Sequence, residues 1–265
     1  MAPTYLDDIV AYHRARTARD TRLWQDRLEN VRYEGPSMLH ALRDPANPHV
    51  KVIAEVKRRS PSKGWISEHL DPSALACAYR DGGASAISVL TDEPHFGGSL
   101  EDFAKVHRAV ALPLLRKDFT LSANDVLDAA AMGASTVLLI VAALADDELW
   151  SFLGVAHRCG LDALVEVHDC DEARRAVDLG ARIIGVNRRD LRTFEVNPER
   201  ANDVIKAIPT DVVTVAESGL SSLSGVQRAA RAGFDAVLVG EAFIRSLDVA
   251  ACVRSFASVA KTTRG

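Results

Sequence analysis

Five charged residues stand where a folding chain normally keeps charge out, at the ends of short aliphatic runs. Glu55 and Lys57 close Val-Ile-Ala-Glu-Val-Lys, Lys117 follows Leu-Leu-Arg, Glu166 lies within Leu-Val-Glu-Val-His, and Glu217 ends Val-Thr-Val-Ala-Glu. If these runs are strands, alternate side chains share a face, so Glu55 goes with Lys57, Lys117 with Leu115 and Glu166 with His168. Burying even one unpaired charge costs several kcal/mol, so an ordinary core has no use for five. Lysines and glutamates gathered in one place shift one another's pKa, which is how general acids and bases are tuned towards neutrality. A competing reading, ion pairs that only seal one end of the fold, suits any single member better than the whole set. Asn187, at the end of Ile-Ile-Gly-Val-Asn, adds an amide to the same group.

A second pattern suits an anion. Ser218-Gly219 follows Glu217 and Gly240 follows another aliphatic run, so backbone N–H groups and a helix start can approach a phosphate at both places. Ser60-Pro-Ser-Lys-Gly64 is a third candidate element, or a polar loop with a solvated lysine. Trp65, Phe96 and Phe119 each follow a run and can line a pocket for an aromatic ring, or only pack the loops. Arg188-Arg189-Asp190 either steers an anion or is a solvated pair. Glu166-Val-His168-Asp169 is at most half a metal site, and no metal is expected.

These groups need a frame. From residue 52 the chain alternates short aliphatic runs, Val52–Lys57, Ile87–Asp92, Leu112–Asp118, Thr136–Ala142, Ala163–His168, Arg182–Asn187, Val212–Ser218 and Ala236–Glu241, with stretches of helical periodicity. Several runs are apolar throughout, as strands covered on both faces are. Their start points lie 19 to 35 residues apart, room each time for one helix and two loops. A glycine ends the intervening helix at Gly83, Gly133, Gly180 and Gly233, spaced 50, 47 and 53 residues apart, or about two strand–helix units each. Eight such units predict an α/β fold, a (β/α)8 TIM barrel over 51–265. A doubly wound open sheet is the rival, but Gly-x-Gly-x-x-Gly is missing after the first run. In a barrel the charged run ends all meet at one mouth. Residues 1–50 read as one or two amphipathic helices, near Leu6–Val31 and Ser37–Arg43, in an N-terminal helical extension of the same domain. Its stripe of Leu6, Ile9 and Val10 needs a surface, which is either the barrel bottom or the mouth; cover beside the mouth is the expectation.

Composition narrows the class. The 265 residues carry 32 Lys+Arg against 36 Asp+Glu, a net charge of −4, with 48% hydrophobic residues. That is a globular balance without the basic face nucleic acid requires. No run is long and apolar enough to span a membrane, and the N-terminus has no secretory pattern. The four cysteines are far apart, which fits reduced thiols and a cytoplasmic location. Nothing reads as an exposed apolar stripe, so a monomer is the default.

Together, Ile-Ala-Glu55-Val-Lys57-Arg-Arg-Ser60-Pro-Ser-Lys-Gly64, Leu-Leu-Arg-Lys117-Asp-Phe119, Leu-Val-Glu166-Val-His, Ile-Gly-Val-Asn187-Arg-Arg-Asp-Leu and Ala-Glu217-Ser218-Gly219 closely resemble indole-3-glycerol-phosphate synthase. The resemblance spans nearly the whole chain and is weakest over residues 1–48. It implies a carbon–carbon carboxy-lyase of tryptophan biosynthesis. Such an enzyme closes the ring of 1-(2-carboxyphenylamino)-1-deoxyribulose 5-phosphate and releases carbon dioxide and water without a cofactor. By the same resemblance Lys117 is the general acid at the ketone and Glu166 its acid/base partner. Lys57 holds the carboxylate, or donates a proton itself, and Glu55 orients it. Asn187, Glu217 and Ser218 bind sugar hydroxyls or water. Ser60, Gly219 and Gly240 belong to the phosphate site, Phe96 and Phe119 to the ring pocket, and Arg189 lies over the site. Some members have a hydroxyl residue where Glu241 stands. The rivals are a neighbouring sugar-phosphate isomerase, which would use a thiol or an aspartate pair, and a non-catalytic phosphate-binding barrel. On this reading Gly240→Val should act chiefly on KM.

Overall fold

The computed structural model describes residues 4–44, 46–60, 64–189, 198–262 and 264. Eight strands form the barrel: β1 (Lys51–Val56), β2 (Ala86–Leu90), β3 (Leu114–Lys117), β4 (Thr136–Ile140), β5 (Asp162–Val167), β6 (Ile183–Asn187), β7 (Val213–Glu217) and β8 (Ala236–Val239). All neighbours pair in parallel, and β8 closes on β1 through Lys51↔Ala236 to Ala54↔Val239. Helices follow the strands and cover the outside, so most strand residues are buried on both faces. Gly83, Gly133, Gly180 and Gly233 all take positive φ, between 88° and 92°, and turn the chain from helix to strand in the same way four times.

The strand starts agree with the sequence reading within two residues, but most ladders stop one or two residues early at the C-terminal end. Thr91 and Asp92, for example, are buried without being strand. Apolar composition tracks burial, and burial continues past the last ladder hydrogen bond into the mouth. A two-residue hairpin, Arg59–Ser60 with Gly64–Trp65, follows β1. Pro61, Ser62 and Lys63 of the suspected anion loop lie outside the described residues.

The interior is layered by alternate strands. Ile53, Leu115, Leu164 and Val215, one each from β1, β3, β5 and β7, belong to the inner apolar cluster. Two residues further along the same four strands stand Glu55, Lys117, Glu166 and Glu217. The charges are therefore one rung above an apolar floor.

Among the described residues the extension holds three helices, not one or two, and it does both of the things its stripe suggested. Helix α1 (Tyr5–Thr17) is capped by Thr4 and Asp7 and lies at the C-terminal mouth, where Tyr5, Leu6 and Ile9 border the central cavity. Helix α2 (Trp24–Leu28) runs down the outer wall, with Arg27 bonded to Asn124 (2.7 Å) and Asp128 (2.6 Å). Helix α3 (Met38–Arg43) closes the bottom. Asp162, the first residue of β5, accepts from Ser37 Oγ (2.8 Å) and from the Leu39 N–H (2.9 Å). Met38, Leu39 and Leu42 enter the inner cluster beside Ile53 and Val213. The cover and the plug are thus different helices of one segment.

Leu42 is 1% exposed, so Leu42→Ala should lower the unfolding free energy by about 2–5 kcal/mol, read from urea midpoints. Leu6→Ala, on the half-buried face of α1, should cost less than half as much. Equal midpoints for Leu42→Ala and the parent would remove α3 from the core.

Candidate active site

A cavity of about 370 Å³ opens at the C-terminal ends of the strands, within the usual size range of small-molecule sites. Its polar wall gathers the groups that the aliphatic runs carried. Lys117 Nζ lies 3.0 Å from Glu166 Oε2 and 3.6 Å from Glu217 Oε2. Asn187 Nδ2 donates to Glu166 Oε1 (3.0 Å), and Ser218 Oγ donates to Asn187 Oδ1 (2.8 Å). Lys57 Nζ contacts Glu55 Oε1, so the two lysines have separate carboxylate partners. Glu55, Glu166 and Glu217 are all under 5% exposed.

Two glutamates of identical type are driven apart. Burial alone would raise the Glu166 pKa, but the Lys117 charge, with His168 and Asn187, overcomes it and holds the carboxyl well below the ordinary range. Burial also raises Glu217; Lys117 opposes this, but the charges of Glu166 and Glu55 add to it, and the group is pushed up to about 8. Burial disfavours the Lys117 ammonium, yet Glu166, Glu217 and Glu55 outweigh that and raise its pKa above the usual lysine value. Two carboxyls beside one ammonium are thus shifted in opposite directions, an arrangement suited to acid–base work.

Backbone details on β6 and β7 make this possible. Glu217 Oε1 has no hydrogen-bond partner among the described residues and lies over Gly185, where an added Cβ would stand 1.9 Å from it. Sequence reasoning missed Gly185, although a lone glycine inside an aliphatic strand is a known sign of close approach. Ser218 takes a left-handed φ of 62°, a conformation that costs a serine about 1–2 kcal/mol. Its hydroxyl is held by Asn187, and its carbonyl accepts from Arg188 Nε (3.0 Å). Arg188 is thus buried and committed to the backbone, correcting the reading of it as an anion-steering or solvated side chain. Burial, with Arg228 nearby, lowers its pKa to about 10. Arg189 borders the cavity; Asp190 lies outside the described residues.

The remaining expected residues also meet here. Ser60, Gly219, Ser221 and Gly240 border the cavity. Phe96 and Phe119 border it too, their rings 6.1 Å apart, together with Tyr5, Leu6 and Ile9 of α1. Trp65 does not join them; it is half exposed and packs near Gly97. Gly240 has a second role that sequence spacing could not show. A Cβ there would stand 2.9 Å from Glu55 Oε1, so Gly240→Val would push the partner of Lys57 and affect turnover as well as KM. His168, expected on the inner face, has Nε2 3.5 Å from Glu166 Oε1 and Nδ1 3.0 Å from Glu172 Oε2.

Burial works against the His168 imidazolium, but Glu166 and Glu172 raise its pKa from 6.5 to about 10. A raised folded-state pKa contributes stability that is complete below the unfolded value and lost as pH rises through the folded value. The stability gap between the parent and His168→Gln should therefore be widest near pH 6.5 and close towards pH 10. Chemical unfolding across that window measures it, and a gap independent of pH would show that the imidazolium contributes nothing.

Comparison with known proteins gives the chain its relatives. A family model described as indole-3-glycerol phosphate synthase matches residues 6–256. The chain is 50% identical over 221 residues to the indole-3-glycerol phosphate synthase of Micrococcus luteus, covering 83% of this chain and 82% of that one. With the same enzyme of Kineococcus radiotolerans it is 48% identical over 251 residues, 92% of each chain. Among solved structures, 3-hexulose-6-phosphate synthase from Salmonella typhimurium superposes with a TM-score of 0.61 at 16% identity, over 79% of this chain and 98% of that one, a likeness of fold alone.

Proposed function

The chain belongs to the indole-3-glycerol phosphate synthase family, and we propose how its own residues divide the work of that reaction. The activity is the conversion of 1-(2-carboxyphenylamino)-1-deoxyribulose 5-phosphate to indole-3-glycerol phosphate, with loss of carbon dioxide and water, in tryptophan biosynthesis. The observation that carries the assignment of roles is the ammonium of Lys117 held 3.0 Å from Glu166 and 3.6 Å from Glu217 in the wall of the cavity.

The substrate has three handles, and the cavity has three matching regions. Its phosphate goes to the end bordered by Ser60, Gly219, Ser221 and Gly240, where backbone can approach closely. Its aromatic ring goes under α1 between Phe96 and Phe119, with the ring carboxylate on Lys57 and Arg189 towards the solvent side. The ketone then lies between these ends, over Lys117.

In ring closure the ring carbon bearing the carboxylate attacks the ketone carbon, and negative charge develops on the ketone oxygen. Lys117 meets that charge as a cation and proton donor. Its raised pKa makes it a reluctant acid while both glutamates remain beside it, so its first contribution is electrostatic. Loss of carbon dioxide restores the aromatic ring. Dehydration next needs a proton for the departing hydroxyl and a base for the proton lost from the substrate. Glu217, protonated near neutrality, supplies an O–H, and Glu166, held ionised, accepts. Asn187 and Ser218 keep Glu166 aimed, and Glu55 keeps Lys57 aimed.

No described helix is long and apolar enough to cross a membrane. We place the protein in the cytoplasm, acting on its phosphorylated small molecule as a monomer.

Conversion of the carboxyphenylamino substrate, followed by indole fluorescence, reads these roles. Lys117→Ala should lower kcat by at least about 10² with the fold retained. A near-parental kcat would move the acid role to Lys57. Gly185→Ala should also reduce kcat strongly, since the new methyl displaces the Glu217 carboxyl, while leaving inhibition by inorganic phosphate as it was. Inorganic phosphate should compete with the substrate; an unchanged initial rate at low substrate and saturating phosphate would remove the anion site from Gly219 and Gly240.

A further inference from the structure

One buried cluster takes no part in the chemistry above. Asp92, just beyond the end of β2, is 2% exposed and accepts three N–H groups: His13 Nε2 of α1 (2.9 Å), His95 Nδ1 (3.1 Å) and the His95 backbone (3.1 Å). Burial would raise the Asp92 pKa, but the bonds to His13 and His95 more than offset it, and the group stays ionised. The His13 ring also lies against Phe119, centroids 5.2 Å apart and tilted by 30°, and Tyr12 packs edge-on to both His13 and His95. His95 belongs to the short helix Glu93–Phe96, whose last residue is the second aromatic of the ring pocket. One carboxylate therefore joins the cover helix to both phenyl rings.

The three groups also lie close enough together to resemble a metal-ligand set. Their contacts argue otherwise. Each imidazole is already at hydrogen-bonding distance from the carboxylate, and His13 Nδ1 is buried with no partner among the described residues, whereas a metal-bound histidine ordinarily donates its second N–H to an acceptor. Donation from His13 Nε2 to the carboxylate fits these contacts, with the lone pair rather than a stranded N–H on Nδ1.

We infer that His13, Asp92 and His95 form a latch that sets how closely α1 and Phe119 close over the aromatic end of the substrate, with His13 as a positioning residue. This rests on the ring-pocket reading given above. The latch can be loosened without releasing the helix, because Arg14 binds Glu148 in bidentate fashion (2.7 Å at Nη2) and reaches the Leu121 and Ala143 carbonyls (both 3.2 Å). Tyr5, Leu6 and Ile9, one to two turns before His13, are the residues whose position over the cavity would drift.

Two substitutions separate the hydrogen bond from the ring packing. His13→Gln keeps an N–H donor near the Nε2 position and loses the stack on Phe119; His13→Phe keeps the stack and loses the donor. In His13→Phe, KM for the substrate and the inhibition constant of 2-aminobenzoate, a probe of the ring end alone, should both rise about three- to tenfold, the loss expected for one hydrogen bond. The inhibition constant of inorganic phosphate and kcat should stay near parental values. His13→Gln should restore most of the loss. Amide hydrogen exchange over residues 5–17 should quicken in His13→Phe and remain near parental in His13→Gln. The reverse ranking, with His13→Phe parental and His13→Gln impaired, would overturn the latch in favour of ring packing. Failure of 2-aminobenzoate to compete in the parent protein would overturn the ring-pocket reading, and the latch's effect on substrate with it. Parental exchange in both variants would overturn the latch alone.

Discussion

The ammonium of Lys117 is the counterion on which the rest of the site depends. Three buried glutamates face it from β1, β5 and β7, and like charges at that depth could not all persist without a cation among them. Removing one partner from such a cluster typically costs about 3–5 kcal/mol, because the charge left behind stays buried. The cluster lies directly on the layer of Ile53, Leu115, Leu164 and Val215. The rule that packs those four side chains into a solid floor, alternate strands contributing to one level, also delivers the charges two residues later to a common level. Barrel stability and site chemistry thus share one geometric cause.

Lys57 takes Glu55, so Lys117 is left between two carboxyl groups that it cannot satisfy equally, and the inequality is useful. Glu166 receives the closer contact with Lys117 along with Asn187 and His168; Glu217 receives the longer one and has an oxygen over Gly185 with no partner among the described residues. Electrostatics then assigns one to be a base and the other an acid. The seam where Asn187 pairs with Glu217 carries the backbone cost of this arrangement, in the left-handed Ser218 and in Arg188, which is buried to fasten the carbonyls of Glu217 and Ser218. Strain of this kind persists only where the surroundings overdetermine it, and here the side chains of Asn187 and Arg188 do so.

The N-terminal segment ties the two ends of the barrel together. Helix α3 fills the bottom with Met38, Leu39 and Leu42, while α1, some twenty residues earlier, brings Tyr5, Leu6 and Ile9 over the top. Arginines along the connecting stretch, Arg22 and Arg27, hold it to Asp128 on the outer wall. An open barrel end exposes an apolar interior to water; one continuous segment covers both ends, with the tighter seal at the bottom and the adjustable one at the site.

Local periodicity made the frame legible in the sequence. Fully apolar runs at barrel spacing, four helix-ending glycines and the phase of Lys117 with Leu115 and of Glu166 with Leu164 follow from the repeat of two along a strand and the left-handed turn that ends a helix. These properties are written within a few residues of one another. The contacts between distant segments were not legible in that way. His13 meets Asp92 across 79 positions, and Gly240 makes room for Glu55 from the opposite end of the chain. The strand periodicity by itself does not say how the environments of Glu166 and Glu217 differ, since each is an inward glutamate near the end of an aliphatic run. Barrel closure decided their neighbours: burial costs both carboxyls, but Glu166 meets Lys117, His168 and Asn187 while Glu217 faces the charges of Glu166 and Glu55, and in a medium that screens charge poorly those neighbours shift the two in opposite directions.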